Sequence, residues 1–134
     1  MIFADTNVIL DVVTNDPHWR EWSARQIEIA AIDGPVLIDA VVYAELGVQY
    51  RKIEQLDELV TGMGLVVAQA PRQALFLAAK AFRQYRQRGG VRTGVLPDFF
   101  IGAHAQVLGL PLLTRDRRRY REYFPLLELI GPDR

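Results

Sequence analysis

The fold is first visible in one short segment, IFADTN at residues 2–7. Its first three residues form an apolar run, and the next three belong to residue types that commonly start helices. This pattern predicts a buried strand that leads through a turn into a helix. A second segment of the same kind, VLID at residues 36–39, predicts another strand followed by a helix cap.

Strands and helices alternate along the rest of the chain. Apolar runs at 64–68, 112–114 and 126–130 predict three further strands. Helical periodicity marks helices between them, including an amphipathic helix from 71 to about 88 with a basic outer face. The alternation predicts an α/β fold, with a single domain over 1–134. We expect a three-layer α/β/α sandwich with a mostly parallel sheet of four to five strands.

The composition excludes several classes of protein. The chain has 134 residues, half of them apolar, and no cysteine, which excludes disulfide scaffolds and thiol catalysis. No membrane span or signal peptide is visible, so we expect a cytoplasmic protein without a membrane partner. The 16 basic and 16 acidic side chains cancel, but four basic and eleven acidic ones fall in 1–58 and twelve and five in 59–134. This asymmetry favours a nucleic-acid or protein partner.

Carboxylates occur where parallel sheets bind ligands, beyond the carboxyl ends of the strands: Asp5 and Asp39 each end a strand. Asp116 follows another strand by two residues, and Asp98 begins a helix beyond the same edge. Glu45 is the charge on an otherwise apolar helix stripe, and buried glutamates are rare unless they are paired or bound to a metal. Ordinary roles stay open: caps for the aspartates, arginine partners for Asp116, and a solvent-facing Glu45.

Several carboxylates at one edge repel each other, and a divalent cation is the simplest agent that offsets the repulsion. Oxygen ligands without cysteine or a spaced histidine pair favour Mg²⁺, or else Mn²⁺, over Zn²⁺. Such an ion can activate water for attack on phosphorus, which is the chemistry of phosphodiester hydrolysis. Basic side chains of the second half are either phosphate contacts or a solvated surface. The phosphate candidates are Lys80, Arg83, Arg86, Arg92 and Arg115, with the other arginines of 80–92 and 115–121.

Four motifs follow one another along the chain. They are FADTNVILD at 3–11, VYAELG at 42–47, PDFFIGA at 97–103 and GLPLLTRD at 109–116. Together they resemble the PIN-domain nucleases, and in particular the small toxins of the VapC type from type II toxin-antitoxin pairs. Each motif is weak by itself, but their order and spacing cover nearly the whole chain, which makes the resemblance specific.

The resemblance implies an endoribonuclease that depends on Mg²⁺ or Mn²⁺ and hydrolyses RNA with a metal-activated water molecule. Asp5 and Asp98 would be the chief metal ligands, and Glu45 with Asp116 would complete the acidic catalytic set. Two further residues, Asn7 and Thr114, match positions that support the metal, its waters or the scissile phosphate. The resemblance also implies a homodimer and a cognate antitoxin that blocks the site.

Other functions stay open at the level of sequence. A phosphatase-like phosphoryl hydrolase would also place an aspartate after its first strand, but such folds commonly carry a second aspartate where this chain has Asn7. A receiver-like signalling domain would need a lysine near a late strand, whereas Lys52 and Lys80 lie on predicted helices. A non-catalytic nucleic-acid or protein-binding module would use the acids only as caps.

Three other residues are interpreted as structural. Asp39 is expected to cap a helix rather than to add an acid near the metal, and Asp11 is expected to have a structural role. His104 stands six positions after Asp98 and therefore points elsewhere, which predicts a packed or surface histidine.

Overall fold

The computed structural model describes residues 1–92 and 94–132. Its strands are β1 (Ile2–Ala4), β2 (Val36–Asp39), β3 (Leu65–Ala68), β4 (Leu112–Leu113) and β5 (Leu129–Ile130). They form one sheet in the order β3-β2-β1-β4-β5, and every neighbouring pair is parallel. With its helices the sheet forms a three-layer α/β/α sandwich. The predicted fold class is therefore confirmed, and the described strands are all parallel.

Seven helices accompany the strands in the described part of the chain. They are α1 (Thr6–Val13), α2 (Arg20–Ile32), α3 (Ala40–Gly47), α4 (Ile53–Gly62), α5 (Arg72–Gln87), α6 (Leu96–Leu108) and α7 (Arg118–Tyr123). Two of these helices end at glycines: α3 stops at Gly47, and α6 is closed by Gly109 with a left-handed φ of 68°. None of these described helices combines the length and apolarity that a membrane span requires.

The start of α2 differs from the sequence expectation. Asp16 as a cap and Pro17 as the first helical residue predict a helix that begins at Pro17, whereas α2 begins at Arg20. The side chain of Asp16 accepts hydrogen bonds from the backbone N–H groups of His18 and Trp19, both at 2.9 Å. Asp16 therefore caps a turn that precedes the helix.

The centre of the sheet explains where a site can form. Phe3 of β1 is aligned with Leu37 of β2 on one side and with Leu112 of β4 on the other, and the buried strands carry apolar side chains on both faces. Chain connections leave in opposite directions from β1, so the boundary between β1 and β4 is a topological switch point. Ligands of parallel sheets bind beyond the carboxyl ends of such strands. Asp5 and Thr114 stand there.

A close approach brings α7 onto α6. A Cβ atom at Gly102 of α6 would lie 2.6 Å from the Phe124 ring and 3.0 Å from the Tyr120 ring, so only glycine allows this packing without a shift. Both aromatic side chains are buried. The glycine therefore fixes α7 near the switch point, with Tyr120 on its inner face.

Candidate active site

A cavity of about 240 Å³ opens at the switch point. Four carboxylates from separate segments line it, together with Thr6, Asn7 and Leu10. The carboxylates are Asp5 after β1, Glu45 on α3, Asp98 in the first turn of α6, and Asp116 after β4. The structure thus brings all four predicted acids to one cavity, as the parallel topology requires.

Asp5 is the most enclosed of the four, with 4% of its surface exposed. It caps α1, since its Oδ1 accepts a hydrogen bond from the Thr6 N–H at 2.7 Å. Its Oδ2 accepts from the Thr114 hydroxyl at 2.8 Å and from the Tyr120 hydroxyl at 3.0 Å. Both oxygens are held by donors from three segments, so the carboxyl group has a fixed orientation at the base of the cavity.

Asn7 and Thr114, the predicted supporting residues, are part of this network. The Asn7 side-chain Nδ2 lies 3.4 Å from Asp5 Oδ2 and 3.3 Å from the Thr114 hydroxyl. The Asn7 Oδ1 accepts a hydrogen bond from the Arg115 N–H at 3.2 Å, and this fixes which way the amide faces. The two residues therefore connect the start of α1 with the end of β4.

Glu45 is half-buried and reaches the cavity from α3. Its Oε1 accepts a hydrogen bond from the Thr6 hydroxyl at 2.5 Å. The apolar stripe on this helix thus predicted the correct face, and the alternative of a solvent-facing Glu45 is wrong.

Asp98 and Asp116 lie nearer the opening of the cavity. Asp98 is partly exposed, and its Oδ2 accepts a hydrogen bond from Arg119 Nη1 at 2.7 Å. Asp116 is exposed, and its N–H donates to the Thr114 hydroxyl at 3.1 Å. Among the described residues no arginine pairs with Asp116, so that alternative is not supported, and Arg119 of α7 pairs with Asp98 instead.

The carboxyl groups raise each other's proton affinity. Burial raises the pKa of Asp5 to about 7, helped by the nearby charge of Asp98 and opposed by the donors Thr114, Tyr120 and the Thr6 N–H. Burial also raises the pKa of Asp98, while Arg119 lowers it and the charges of Glu45 and Asp116 raise it. The cavity therefore has more negative charge than its protein neighbours can neutralise.

Tyr120 is buried beside Asp5. Its burial and the charge of Asp5 raise the pKa of the phenol well above its usual value. The hydroxyl therefore stays protonated at neutral pH and acts as a donor to Asp5.

The donor set fits a hard divalent cation, because it consists of carboxylate, hydroxyl and amide oxygens together with excess negative charge. Within 1–92 and 94–132, however, no three acidic or histidine side chains are gathered closely enough to hold one ion. Glu45 is bonded to Thr6 and Asp98 to Arg119, so both carboxylates have partners within the protein. An ion bound at either carboxylate would compete with these contacts.

Asp39 ends β2 but lies outside the cavity. Its Oδ1 accepts a hydrogen bond from the Val41 N–H at 2.8 Å, which confirms the predicted cap. Its Oδ2 lies 2.6 Å from Nδ1 of His104, which is fully buried against the Phe3 ring. The predicted packed histidine is therefore confirmed, with Asp39 as its partner.

The phosphate candidates fall into two groups. Lys80, Arg83, Arg86 and Arg92 are exposed. Arg115 differs, because its guanidinium donates to both carboxylate oxygens of Asp11 at 2.7 and 2.9 Å and lies over the Trp19 ring at 5.1 Å. Asp11 is therefore structural, as expected, and Arg115 approaches the cavity only through its backbone.

Three side chains that contact acids of the cavity lie outside the predicted site: Thr6, Arg119 and Tyr120. Thr6 stands within the first motif, between two residues that the sequence identifies. Arg119 is one of several arginines in its segment, and Tyr120 is one of two tyrosines in α7. Their importance depends on how α7 is placed, and no periodic pattern in the sequence encodes that placement.

An α/β sandwich with four carboxylates at its switch point defines a class of domain with an acidic site. The model for the PIN domain matches residues 2–124. The chain belongs to the PIN domain family.

Solved structures share this fold. VapBC2 from Rickettsia felis, bound to a DNA fragment from its promoter, is similar with a TM-score of 0.73 at 21% identity, covering 99% of this chain and 100% of that chain. VapBC-1 from nontypeable Haemophilus influenzae is similar with a TM-score of 0.70 at 19% sequence identity, covering 98% of both chains. FitAcB from Neisseria gonorrhoeae is similar with a TM-score of 0.67 at 18% sequence identity, covering 98% of both chains. A search of curated proteins finds no sequence match.

Proposed function

We propose that this protein is the toxin of a toxin-antitoxin pair, an endoribonuclease that hydrolyses RNA phosphodiester bonds with a water molecule activated by Mg²⁺ or Mn²⁺. One observation carries the proposal: four carboxylates from separate segments line a single cavity at the switch point of a PIN domain. The raised pKa of Asp5 supports it, because a cation would offset the excess negative charge.

The four acids would have two kinds of role at the metal ion. Asp5 and Asp98 would hold the ion, and Glu45 with Asp116 would complete its surroundings directly or through water. When bound, the ion supplies an activated water molecule and neutralises charge on the phosphate. The protein's own contribution is orientation, since Thr114, Tyr120 and the Thr6 N–H fix both oxygens of Asp5.

The exposed basic residues would hold the RNA backbone. Lys80, Arg83 and Arg86 are exposed on α5, and Arg92 follows it. Phosphate contacts of this kind weaken steeply as salt rises. Arg115 would act on RNA only indirectly, by anchoring the segment after β4 to Asp11.

The proposal includes a cognate antitoxin and a second copy of this chain. A toxin-antitoxin complex from Klebsiella pneumoniae shares the fold, with a TM-score of 0.67 at 18% identity, and an acidic cavity suits a basic group from such a partner. For the homodimer, support comes from apolar side chains exposed on β3 and α5, which are Val66, Val67, Leu75 and Phe76. We expect the protein to act in the cytoplasm, where RNA and an antitoxin are available.

The test is incubation of the purified protein with structured RNAs in Mg²⁺, in Mn²⁺ and in excess chelator. We expect cleavage only with metal, and loss of cleavage in Asp98→Asn. Asp33→Asn is a matched control, because Asp33 is exposed at the end of α2 and does not line the cavity. Cleavage that survives chelation or Asp98→Asn would exclude the proposal.

A phosphomonoester assay separates the main alternative. The phosphatase-like function predicts metal-dependent hydrolysis of p-nitrophenyl phosphate without RNA cleavage. The binding-module alternative predicts that neither substrate is hydrolysed and that Asp98→Asn binds RNA as the natural chain does.

A further inference from the structure

Two consecutive side chains of α7 contact two different acids of the cavity. The Tyr120 hydroxyl donates to Asp5, and Arg119 Nη1 donates to Asp98 Oδ2 at 2.7 Å. Among the salt bridges of the described residues, this one places a cation on an acid of the cavity. The helix therefore brings a hydroxyl donor to the base of the cavity and a positive charge to its side.

Arg119 stands apart from its neighbours on α7. Arg118 and Arg121 are exposed, whereas the side chain of Arg119 is 23% exposed and that of Asp98 is 29% exposed. A guanidinium this enclosed loses much of its hydration and depends on an anion. The pair still touches solvent, so its partners can exchange without unfolding of the helix.

Arg119 and a divalent cation would compete for the same carboxyl group, that of Asp98. Asp98 Oδ2 accepts the Arg119 hydrogen bond, and Asp98 is expected to be a chief ligand of the ion. Arg119 brings its positive charge directly against this carboxyl group. It thus occupies the position of a counter-ion.

We propose that Arg119 is an exchangeable counter-ion: it holds Asp98 in the free protein and passes to an RNA phosphate once Asp98 takes up the divalent cation. The released guanidinium needs a new anion, and a phosphate offers two oxygens that match its planar shape. Metal loading and RNA binding are therefore coupled through one side chain. The RNA half of this proposal rests on the proposed cleavage of RNA, whereas the metal half rests only on the binding of an ion at Asp98.

The first experiment measures metal binding without RNA. Mg²⁺ and Mn²⁺ are titrated against the natural chain, Arg119→Gln and Arg118→Gln, and the melting temperature is followed. Arg118→Gln removes the same charge from the same helix without touching Asp98. We expect Arg119→Gln to lower the metal concentration at the midpoint of the titration about three- to tenfold, since it removes the competing ion pair. Arg118→Gln should change that midpoint concentration less than about twofold. Equal midpoints for the two variants, or weaker binding in Arg119→Gln, would overturn the proposal.

A second measurement uses the natural chain, in case Arg119→Gln fails to fold. The guanidinium resonances of Arg119 are followed by nitrogen NMR during a Mg²⁺ titration. We expect them to move from the signature of a hydrogen-bonded group to that of a free one at the same midpoint as the thermal shift. Resonances that do not change during metal loading would contradict the exchange.

The third measurement addresses RNA. At saturating Mg²⁺, Arg119→Gln is expected to raise KM for RNA and to lower the slope of log binding against log salt by about 0.7, the value for one phosphate contact on a single strand. Arg25→Gln is the control, because Arg25 is exposed on α2. An unchanged slope in Arg119→Gln would contradict the phosphate contact.

The two possible failures are distinguishable. If the natural chain cleaves RNA with metal but Arg119→Gln leaves the metal midpoint unchanged, only the exchange is wrong. If the natural chain cleaves no RNA, the proposed function fails, while the metal titration still decides whether Arg119 competes for Asp98.

Discussion

Asp5 and Asp39 begin with the same local structure and have different uses. Each follows a buried strand, and the two strands, β1 and β2, are neighbours in the sheet. Each caps the next helix with nearly equal backbone angles, φ −76° and ψ 155° against φ −72° and ψ 156°. Each is almost fully buried, at 4% and 3% exposed. Only their distant neighbours differ.

Those neighbours decide the chemistry. Asp39 meets the imidazole of His104, which comes from α6, and the pair is closed off in the core. Asp5 meets hydroxyl donors and another carboxylate, Asp98, at an open cavity. A strand followed by aspartate therefore encodes a buried cap, and the elements packed against it determine whether the cap is structural or reactive.

The largest expected effect is on RNA cleavage. Asp5→Asn keeps the size of the side chain but removes its charge, and we expect activity to fall at least about a hundredfold, since under the proposed function it removes a metal ligand. Asp39→Asn is expected to retain activity within about threefold, because Asp39 does not line the cavity. Initial rates at saturating Mg²⁺, on variants with natural circular dichroism spectra, check the pair. Similar losses in both variants would remove the distinction.

Stability should change in the opposite sense for the same two variants. Asp5 is charged above its raised pKa of about 7 in a buried position, so Asp5→Asn is expected to raise the free energy of unfolding at pH 8 by about 1 kcal/mol in the absence of metal. Asp39→Asn weakens the contact with His104 and is expected to lower the free energy of unfolding. Urea unfolding at pH 8 measures both changes.

The His104 side of the comparison gives the next effect. His104→Ala leaves a buried carboxylate without its partner and opens a cavity, and we expect the free energy of unfolding to fall by about 3 kcal/mol. His18→Ala is the matched control, because His18 is exposed, and should cost less than about 0.5 kcal/mol. A small loss in His104→Ala would show that the pair contributes little. Urea unfolding near neutral pH measures both variants.

The sequence could predict the parts of the site that follow local rules. Asp5, Asp98 and Asp116 are marked by the ends of strands and the start of a helix, and Glu45 by helical periodicity. Parallel topology then brings all four to one edge. That they line one cavity is confirmed; that they bind metal stays a prediction.

The parts of the site that the sequence does not predict depend on the placement of α7. The side chains of Arg119 and Tyr120 reach Asp98 and Asp5 because Gly102 lets this helix pack closely on α6. This close packing has no periodic signature in the sequence. For the same reason the sequence suggests Arg115 as a phosphate contact, although its partner is Asp11, which lies far away in sequence.

The pH dependence of metal binding follows from Asp5. Its pKa is 3.8 unfolded and about 7 folded, so the folded state holds more protons between these values. Without metal, this group's contribution to stability is therefore full below about pH 4 and is lost as pH rises through 7, with a slope of up to about 1.4 kcal/mol per pH unit. Mg²⁺ binds the charged form, so its stabilising effect should grow across the same range. Melting temperatures from pH 5.5 to 8.5, with and without Mg²⁺, measure both trends, and Asp5→Asn should flatten them.

The smallest effect tests whether Tyr120 acts on Asp5 or only packs against α6. Tyr120→Phe removes one hydroxyl, and the loss of this hydrogen bond should cost about 1 kcal/mol of stability. The hydroxyl also lowers the pKa of Asp5, so that pKa should rise further in the variant. Mg²⁺ affinity should therefore fall a few-fold near pH 7 and return to the natural value about two pH units higher, where Asp5 is charged in both proteins. Tyr123→Phe, on the same helix, controls for the loss of a hydroxyl. An equal deficit in Mg²⁺ affinity at both pH values would mean that Tyr120 shapes the cavity without controlling the charge of Asp5.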